Sequence, residues 1–201
     1  MIINTNAEQR KILRKKIRQQ RRALSPQNQS CASKKLQYQL LKIINKNQHR
    51  FKNKLIRIGT YKAGDGEIST AYFEKKTSSR RIEFLFPIIQ KNKTLYFGKK
   101  IRNKFPRSNM YKIPEPLKEQ QTHVNDLDIL LLPLVAATRK GTRLGMGGGF
   151  YDRTLARIKK PGPLLIGIAH DLQIISDIPE EPWDKPINYI ATDKQIIICR
   201  S

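Results

Sequence analysis

Gly141-Thr-Arg-Leu-Gly-Met-Gly-Gly-Gly-Phe-Tyr-Asp-Arg-Thr-Leu155 follows the most apolar run of the chain, Ile129-Leu-Leu-Leu-Pro-Leu-Val-Ala-Ala137. The apolar run reads as a buried strand, and Leu155 to Ile158 carries helical apolar spacing. Strand, glycine-rich turn and helix start, in that order, predict an anion-binding loop: glycines let backbone N–H groups approach a phosphate closely. Arg143 and Arg153 bring positive charge to the same place, Tyr151 an aromatic face and Asp152 a carboxylate. The loop is not a Walker A motif, because no Gly-Lys-Ser/Thr ends it. Nor is it the dinucleotide fingerprint, since Phe150 stands at the third glycine position after Gly145 and Gly147. A bare glycine cluster is equally consistent with a tight turn; its company of Arg143, Tyr151 and Asp152 directly after one strand narrows the reading.

At 201 residues the chain suits one domain with a real core, burying ~70% of the unfolded surface. The longest apolar run is about half the ~20 residues that a membrane helix needs. The N-terminus reads as a basic amphipathic helix rather than a signal peptide. Cys31 and Cys199 lie far apart in sequence and offer neither a metal pattern nor a disulfide framework, and His49, His123 and His170 are as scattered. A soluble, cytoplasmic protein is expected. Forty Lys and Arg against sixteen Asp and Glu give a formal net charge of +24. That charge suits a nucleic-acid binder, but it is spread along the whole chain with no accompanying recognition motif. Diffuse basicity also fits a small polyanionic substrate, or merely a proteome rich in lysine, so charge alone leaves the question open.

Taken in order, Ala7 to Leu24 is helical, with Ile12, Leu13 and Ile17 on one face. Ser25-Pro26 ends it and starts a second helix to about Asn45, with Leu36, Leu40, Ile43 and Ile44 as the buried stripe. A solvated face is the ordinary fate of Arg10, Lys11 and Arg14. Leu55 to Tyr61 is a strand, a turn Ala63-Gly-Asp-Gly66 follows, and Ser69 or Thr70 caps a helix to about Ser79. Ile82 to Pro87 and Thr94 to Phe97 are strands joined by a hairpin at Lys91-Asn-Lys93. Glu67 falls beyond the end of a parallel strand, where open α/β sheets bind ligands; a first-turn carboxylate favoured by the helix dipole is the plainer role. Residues 98 to 125 are irregular, a long loop for a compact domain, with Glu115 enclosed by Pro114 and Pro116. Asp126 to Ala137 reads as the central strand. Leu164 to Ala169 is a further strand, with short ones near Tyr189 and from Gln195 to Cys199. The sum is an α/β fold: a single three-layer domain over 1–201, a mostly parallel sheet with helices on both faces.

Arg143-Leu-Gly-Met-Gly-Gly-Gly-Phe-Tyr-Asp152 resembles the signature loop of the 5-formyltetrahydrofolate cyclo-ligases, also called methenyltetrahydrofolate synthetases. The resemblance extends over nearly the whole chain. It takes in Arg10-Lys-Ile-Leu-Arg14, Tyr61 to Thr70, Ile113-Pro-Glu-Pro116, Asp128 to Pro133, Pro182-Trp-Asp184 and Thr192. It implies ligase chemistry: ATP- and Mg²⁺-dependent closure of 5-formyltetrahydrofolate to 5,10-methenyltetrahydrofolate, with release of ADP and phosphate. It implies that ATP lies against Arg10, Lys11 and Arg14 and along Arg143, Leu144, Gly145, Met146, Gly147, Gly148, Gly149, Phe150 and Tyr151. It implies Mg²⁺ near Asp152 and Asp184, and folate contacts from Tyr61, Lys62, Glu67, Phe150 and Tyr151. Arg143, Tyr151 and Asp152 are the implied catalytic residues. Some members carry lysine where Gly148 stands, so Arg143, Arg153 or the metal has to supply that charge here. The N-terminal motif commonly opens with lysine, here Arg10, and the two cations bind phosphate differently.

The partners expected are therefore small molecules, ATP and a mono- or polyglutamated folate, acting on a monomer with no membrane and no specific nucleic acid. Two other classes stay open at this point: a basic nucleic-acid-binding protein, and a non-catalytic nucleotide- or folate-binding module.

Overall fold

The computed structural model describes residues 5–51, 54–78, 80–101, 104–119 and 121–199. Helix α1 runs Asn6–Arg22, capped by Thr5 in a capping box with Glu8. Helix α2 runs Pro26–Lys46; the Ser25 hydroxyl accepts from Asn28 N at 3.2 Å and Pro26 occupies the first turn, the sequence pattern of a helix start. Strand β1 (Ile56–Gly59) leads through a turn to α3 (Ala71–Lys76); the expected helix end at Ser79 lies outside the described residues. Strands β2 (Ile82–Ile89) and β3 (Leu95–Gly98) form the predicted hairpin. The irregular stretch that follows contains a small hairpin, β4 (Arg107–Ser108) with β5 (Pro114–Glu115). Then come β6 (Ile129–Pro133), the pair β7 (Ala136–Ala137) and β8 (Arg143–Leu144), and α4 (Phe150–Leu155). Strands β9 (Leu164–Ile168), β10 (Tyr189–Ala191) and β11 (Ile196–Ile198) complete the chain.

Seven strands form one sheet in the order β11-β10-β9-β6-β1-β2-β3. The five central strands are parallel, and β11 and β3 pair antiparallel at the edges. Alternation along β6 fills both faces, as buried parallel strands require. Ile129 and Leu131 join Leu36, Leu40 and Ile43 of α2 on one side; Leu130 and Leu132 join Leu155 of α4 and the β3 residue Phe97 on the other. The three-layer α/β architecture is thus present. No described helix is long and apolar enough to cross a membrane.

Three expectations are corrected. The stretch from Asp126 to Ala137 is not one strand. Beyond Pro133 the carbonyls of Leu134 and Val135 are taken by side chains, Gln173 Nε2 at 2.8 Å to each and Arg21 at 3.1 Å to Leu134, so the backbone leaves the sheet. The helix after the glycines starts at Phe150 and ends at Leu155, rather than running from Leu155 to Ile158. Tyr151 and Asp152 therefore sit on its first turn. Finally, Ile12 is 56% exposed. The inward stripe of α1 is Arg10, Arg14, Ile17 and Arg21, an i, i+4, i+7, i+11 series that is mostly arginine, and Arg10, Ile17 and Arg21 are buried.

Arginines need anionic seats, and Asp65 is the main one. It accepts from Arg18 (2.7 Å), Arg21 (2.6 Å) and Arg22, in a turn where Asp65 and Gly66 both have positive φ. Burial alone would raise the Asp65 carboxyl; bonds from three guanidinium groups outweigh it and hold the group far below the ordinary carboxylate range. A depressed folded pKa contributes stability that is complete above the unfolded value of about 3.9 and is lost as pH falls below it. Asp65→Asn should cost about 3 kcal/mol at pH 7, because it leaves buried Arg21 underpaired. Urea unfolding should show this cost shrinking below about pH 4 as Asp65 of the unfolded wild-type chain takes up a proton; an equal cost at pH 3 and pH 7 would contradict the seat.

Candidate functional site

In the sheet order, β1 and β6 are neighbours whose following connections leave in opposite directions, β1 toward β2 and β6 toward β9. Open α/β sheets bind ligands in the crevice at such a reversal, beyond the carboxyl ends of the strands. The chain after β1 supplies the turn carrying Glu67. The chain after β6 supplies β7, β8 and the glycine loop.

The loop is open where a phosphate would enter: Met146, Gly147 and Gly148 are exposed. Gly147 (φ 96°) and Gly149 (φ 69°) adopt left-handed conformations that side chains disfavour. Gly145 is held from below by Arg14, whose Nε donates to its carbonyl at 2.8 Å. Gly148 has ordinary φ, but a Cβ there would lie 2.9 Å from the Phe150 ring. The space that a loop lysine would need is thus occupied by Phe150, and Arg153 folds back instead, donating to the Gly148 carbonyl at 3.0 Å. Leu144 is fully buried against α1, so only its backbone faces the loop.

Beside the loop lies a cluster of three arginines and two aspartates. Arg143, 3% exposed, donates to Asp152 Oδ1 at 2.6 Å. Arg10 grips both oxygens of Asp184, at 2.7 and 3.1 Å, and the carbonyl of Pro179 at 2.7 Å. Burial lowers the Arg14 guanidinium first, then the repulsion of Arg10, with Asp152 and Asp184 opposing both. Arg143 is lowered mainly by burial and raised by the same two aspartates. Guanidinium groups are so strongly basic that both remain cations at neutral pH. The group carries an excess positive charge in a half-dry place, which favours a bound polyanion. Asp152 keeps Oδ2 outside its bond to Arg143, whereas both Asp184 oxygens are engaged, Oδ2 also accepting from Glu181 N at 3.0 Å. Lys11 points outward, into an open groove of about 850 Å³ shared with Lys15, Arg18 and Arg22.

A second cluster surrounds Glu67. Its Oε2 accepts from Gly64 N at 3.0 Å, and its Oε1 lies 3.8 Å from the Arg21 guanidinium. Burial raises this carboxyl, while Gly64 N–H and Arg21 pull it back. Tyr61 is buried and its hydroxyl donates to the Ile68 carbonyl at 2.6 Å, so it underpins the turn. Tyr151 is raised well above the ordinary phenol by burial and then by the nearby Glu67 charge, and stays a neutral O–H. Phe150 stacks edge-on with Tyr111 at 5.6 Å. Lys62 is exposed.

Tyr151 and Asp152 are adjacent, yet each belongs to a different cluster. Tyr151 feels the charge of Glu67, and Asp152 bonds Arg143. The residues unforeseen in the sequence are Arg18, Arg21, Arg22, Asp65 and His170. His170 Nε2 lies 3.2 Å from the Gly66 carbonyl. The turn glycine at Gly66 was the one local signal; nothing local announced that four side chains would converge there.

The chain matches the model of the 5-formyltetrahydrofolate cyclo-ligase family over residues 6–193. The 5-formyltetrahydrofolate cyclo-ligase of Haemophilus influenzae is 32% identical over 186 residues, covering 90% of this chain and 96% of that one. That of Mycoplasma pneumoniae is 28% identical over 183 residues, 90% and 97% of the two chains. Among solved structures, a 5,10-methenyltetrahydrofolate synthetase from Mycoplasma pneumoniae superposes with a TM-score of 0.71 at 25% identity, over 92% of this chain and 99% of that one. The NMR structure of the Aquifex aeolicus 5,10-methenyltetrahydrofolate synthetase gives 0.77 at 25% identity, over 96% and 93%. Fold, signature loop and sequence agree, and the chain belongs to the 5-formyltetrahydrofolate cyclo-ligase family of ligases.

Proposed function

We propose that the chain converts 5-formyltetrahydrofolate and ATP to 5,10-methenyltetrahydrofolate, ADP and phosphate. The observation that carries this reading is the adjacency of Tyr151 and Asp152, one within electrostatic reach of the Glu67 carboxylate and the other bonded to the cationic cluster beside a glycine loop. An enzyme that moves a phosphoryl group onto a folate needs those two half-sites to meet.

The formyl oxygen is a poor leaving group. It attacks the γ-phosphorus of ATP, an O–P bond forms, the β–γ bridging bond breaks and ADP departs. N10 then attacks the formyl carbon and loses its proton. The C–O bond breaks, phosphate leaves, and the N5–CH–N10 bridge carries the methenyl charge. Such a transfer relies on positioning and on charge placed around the moving group. The glycine loop amides from Gly145 to Gly149 cradle the triphosphate. Arg14 and Arg143 hold positive charge beside it, and Arg153 lies across the loop where some relatives carry a lysine. Glu67 accepts from the paired N–H and amino donors of a pterin ring, with Phe150 and Tyr151 as its stacking walls. Tyr61 forms the floor of this pocket.

The donor set suits magnesium: hard oxygens of Asp152 and Asp184 facing a phosphate site, where one or two carboxylates plus phosphates and waters are the usual shell. Asp152 has a spare oxygen, and Asp184 would exchange part of its Arg10 contact. When bound, Mg²⁺ supplies further charge neutralisation to the phosphates.

Purified protein with 5-formyltetrahydrofolate should develop the methenyl absorbance only when MgATP is added. Folded protein that binds both ligands without turnover would indicate a non-catalytic module. Asp152→Asn retains an acceptor for Arg143 but not the carboxylate; it should lower kcat roughly 10²–10³-fold with little change in Tm. Unchanged turnover would remove Asp152 from the site. Glu67→Gln should raise KM for the folate about tenfold or more, by replacing an acceptor with a donor, and leave KM for ATP near wild type.

A further inference from the structure

Arg21 has so far appeared as a structural group, seated on Asp65 and the Leu134 carbonyl, and its side chain is wholly buried. Its Nε donates to the Asp65 carbonyl at 2.8 Å, one terminal nitrogen donates to the Leu134 carbonyl at 3.1 Å, and the other donates to Asp65 Oδ2 at 2.6 Å. That second terminal nitrogen also lies 3.6 Å from the Met146 sulfur and 3.8 Å from Glu67 Oε1. One planar fork thus touches α1's two client segments at once: the turn that presents Glu67, and the point where the chain leaves β6 for the glycine loop. Lysine cannot reproduce that geometry, because its three donors radiate from a single nitrogen.

We propose that Arg21 is the positioning residue of the folate pocket, aiming the Glu67 carboxylate and supplying its countercharge. This rests on Glu67 being the acceptor for the pterin. The turn fixes one oxygen of that carboxylate, and the other faces Arg21 at an ion-pair distance of 3.8 Å. Gly64 N–H donates to Oε2, His170 steadies the Gly66 carbonyl, and a Cβ at Gly66 would press within 3.0 Å of the Arg21 backbone carbonyl. The charged and titratable groups around Glu67 are Arg21 and Arg18 from α1, Asp65 within the turn, Tyr61 after β1, Tyr151 on α4 and His170 after β9, whose ring meets the neighbouring Gly66 carbonyl. Both tyrosines stay neutral, and Asp65 is already spoken for by three arginines. Arg21 is therefore the cation nearest to Glu67 Oε1 among the described residues.

Glu67 must be ionised to accept from both pterin donors at once, and burial raises its pKa above the ordinary 4.5 while Arg21 opposes that rise. Folate affinity should then fall as pH drops through the Glu67 pKa. Removing the countercharge raises that pKa further and moves the fall to higher pH.

The test is the dissociation constant of 5-formyltetrahydrofolate, measured by calorimetry without ATP from pH 5 to pH 8.5, for wild type, Arg21→Met, Arg21→Lys and Glu67→Gln. Arg21→Met should weaken binding about tenfold or more at pH 7 and shift the acid limb up by about one pH unit. Arg21→Lys keeps the charge, so its limb should stay with wild type, while binding weakens about threefold or more through lost aim. Equal weakening at every pH in Arg21→Met, with the limb unmoved, would overturn the countercharge role. If Arg21→Met does not fold, Arg21→Lys alone decides the aiming role: wild-type affinity at all pH values would overturn it. Glu67→Gln separates the two readings. Wild-type folate affinity in that variant removes Glu67 from the pterin and the underlying assignment falls. Weakened, limb-free binding in Glu67→Gln with an unmoved limb in Arg21→Met leaves that assignment standing and overturns only the proposal for Arg21.

Discussion

The pairing of buried Arg21 with Asp65 holds the Glu67 turn and the chain leading to the glycine loop in register. Helix α1 has little apolar surface with which to adhere; Ile17 is its one fully buried aliphatic residue, and Leu13 is only half-buried against Val135, Ala136 and Leu144. Its inward stripe is charged, and a buried charge is tolerated only when its partners are complete. Asp65 and the Leu134 carbonyl complete Arg21, and Asp184 completes Arg10. Once those ends are seated, Arg14 between them has one place to go, the carbonyl of Gly145. The helix is thus registered by ion pairs, and a one-turn slip would leave several guanidinium groups without acceptors.

The sheet explains why this matters for chemistry. The reversal of connections between β1 and β6 opens a crevice at the carboxyl ends of the strands. One wall is the Glu67 turn and the other is the glycine loop. The short helix α4 closes the end, with Tyr151 facing one wall and Asp152 the other. Helix α1 lies across both, so its arginines tie the separately folded walls together. The buried cations Arg10, Arg21 and Arg143 all lie beside this crevice, while most of the forty Lys and Arg are on the surface.

The sequence made local features legible where one periodicity dominated. The α2 stripe of Leu36, Leu40, Ile43 and Ile44, the Ser25-Pro26 start and the parallel order of the apolar strands all follow from spacing. The glycine loop was legible through its motif. What local spacing could not reveal was anything decided by distant partners. The run from Ile129 to Ala137 looks continuous, but Gln173 and Arg21 divert its backbone after Pro133. Ile12 looks apolar-facing, but arginines won that stripe because Asp65 and Asp184 offered them acceptors. Asp65 looked like an ordinary turn residue for the same reason. Gly148 gains a meaning only from the Phe150 ring packed against it.

The central claim is that the crevice joins a phosphoryl donor to a formyl oxygen. The most direct measurement follows that oxygen. The protein should be given MgATP and 5-formyltetrahydrofolate carrying ¹⁸O in the formyl group, and the released phosphate analysed by mass spectrometry. The account predicts one ¹⁸O atom per phosphate, equal in amount to the methenyl product formed. Unlabelled phosphate accompanying that product would contradict it, because the formyl oxygen would then have left without ever receiving the phosphoryl group.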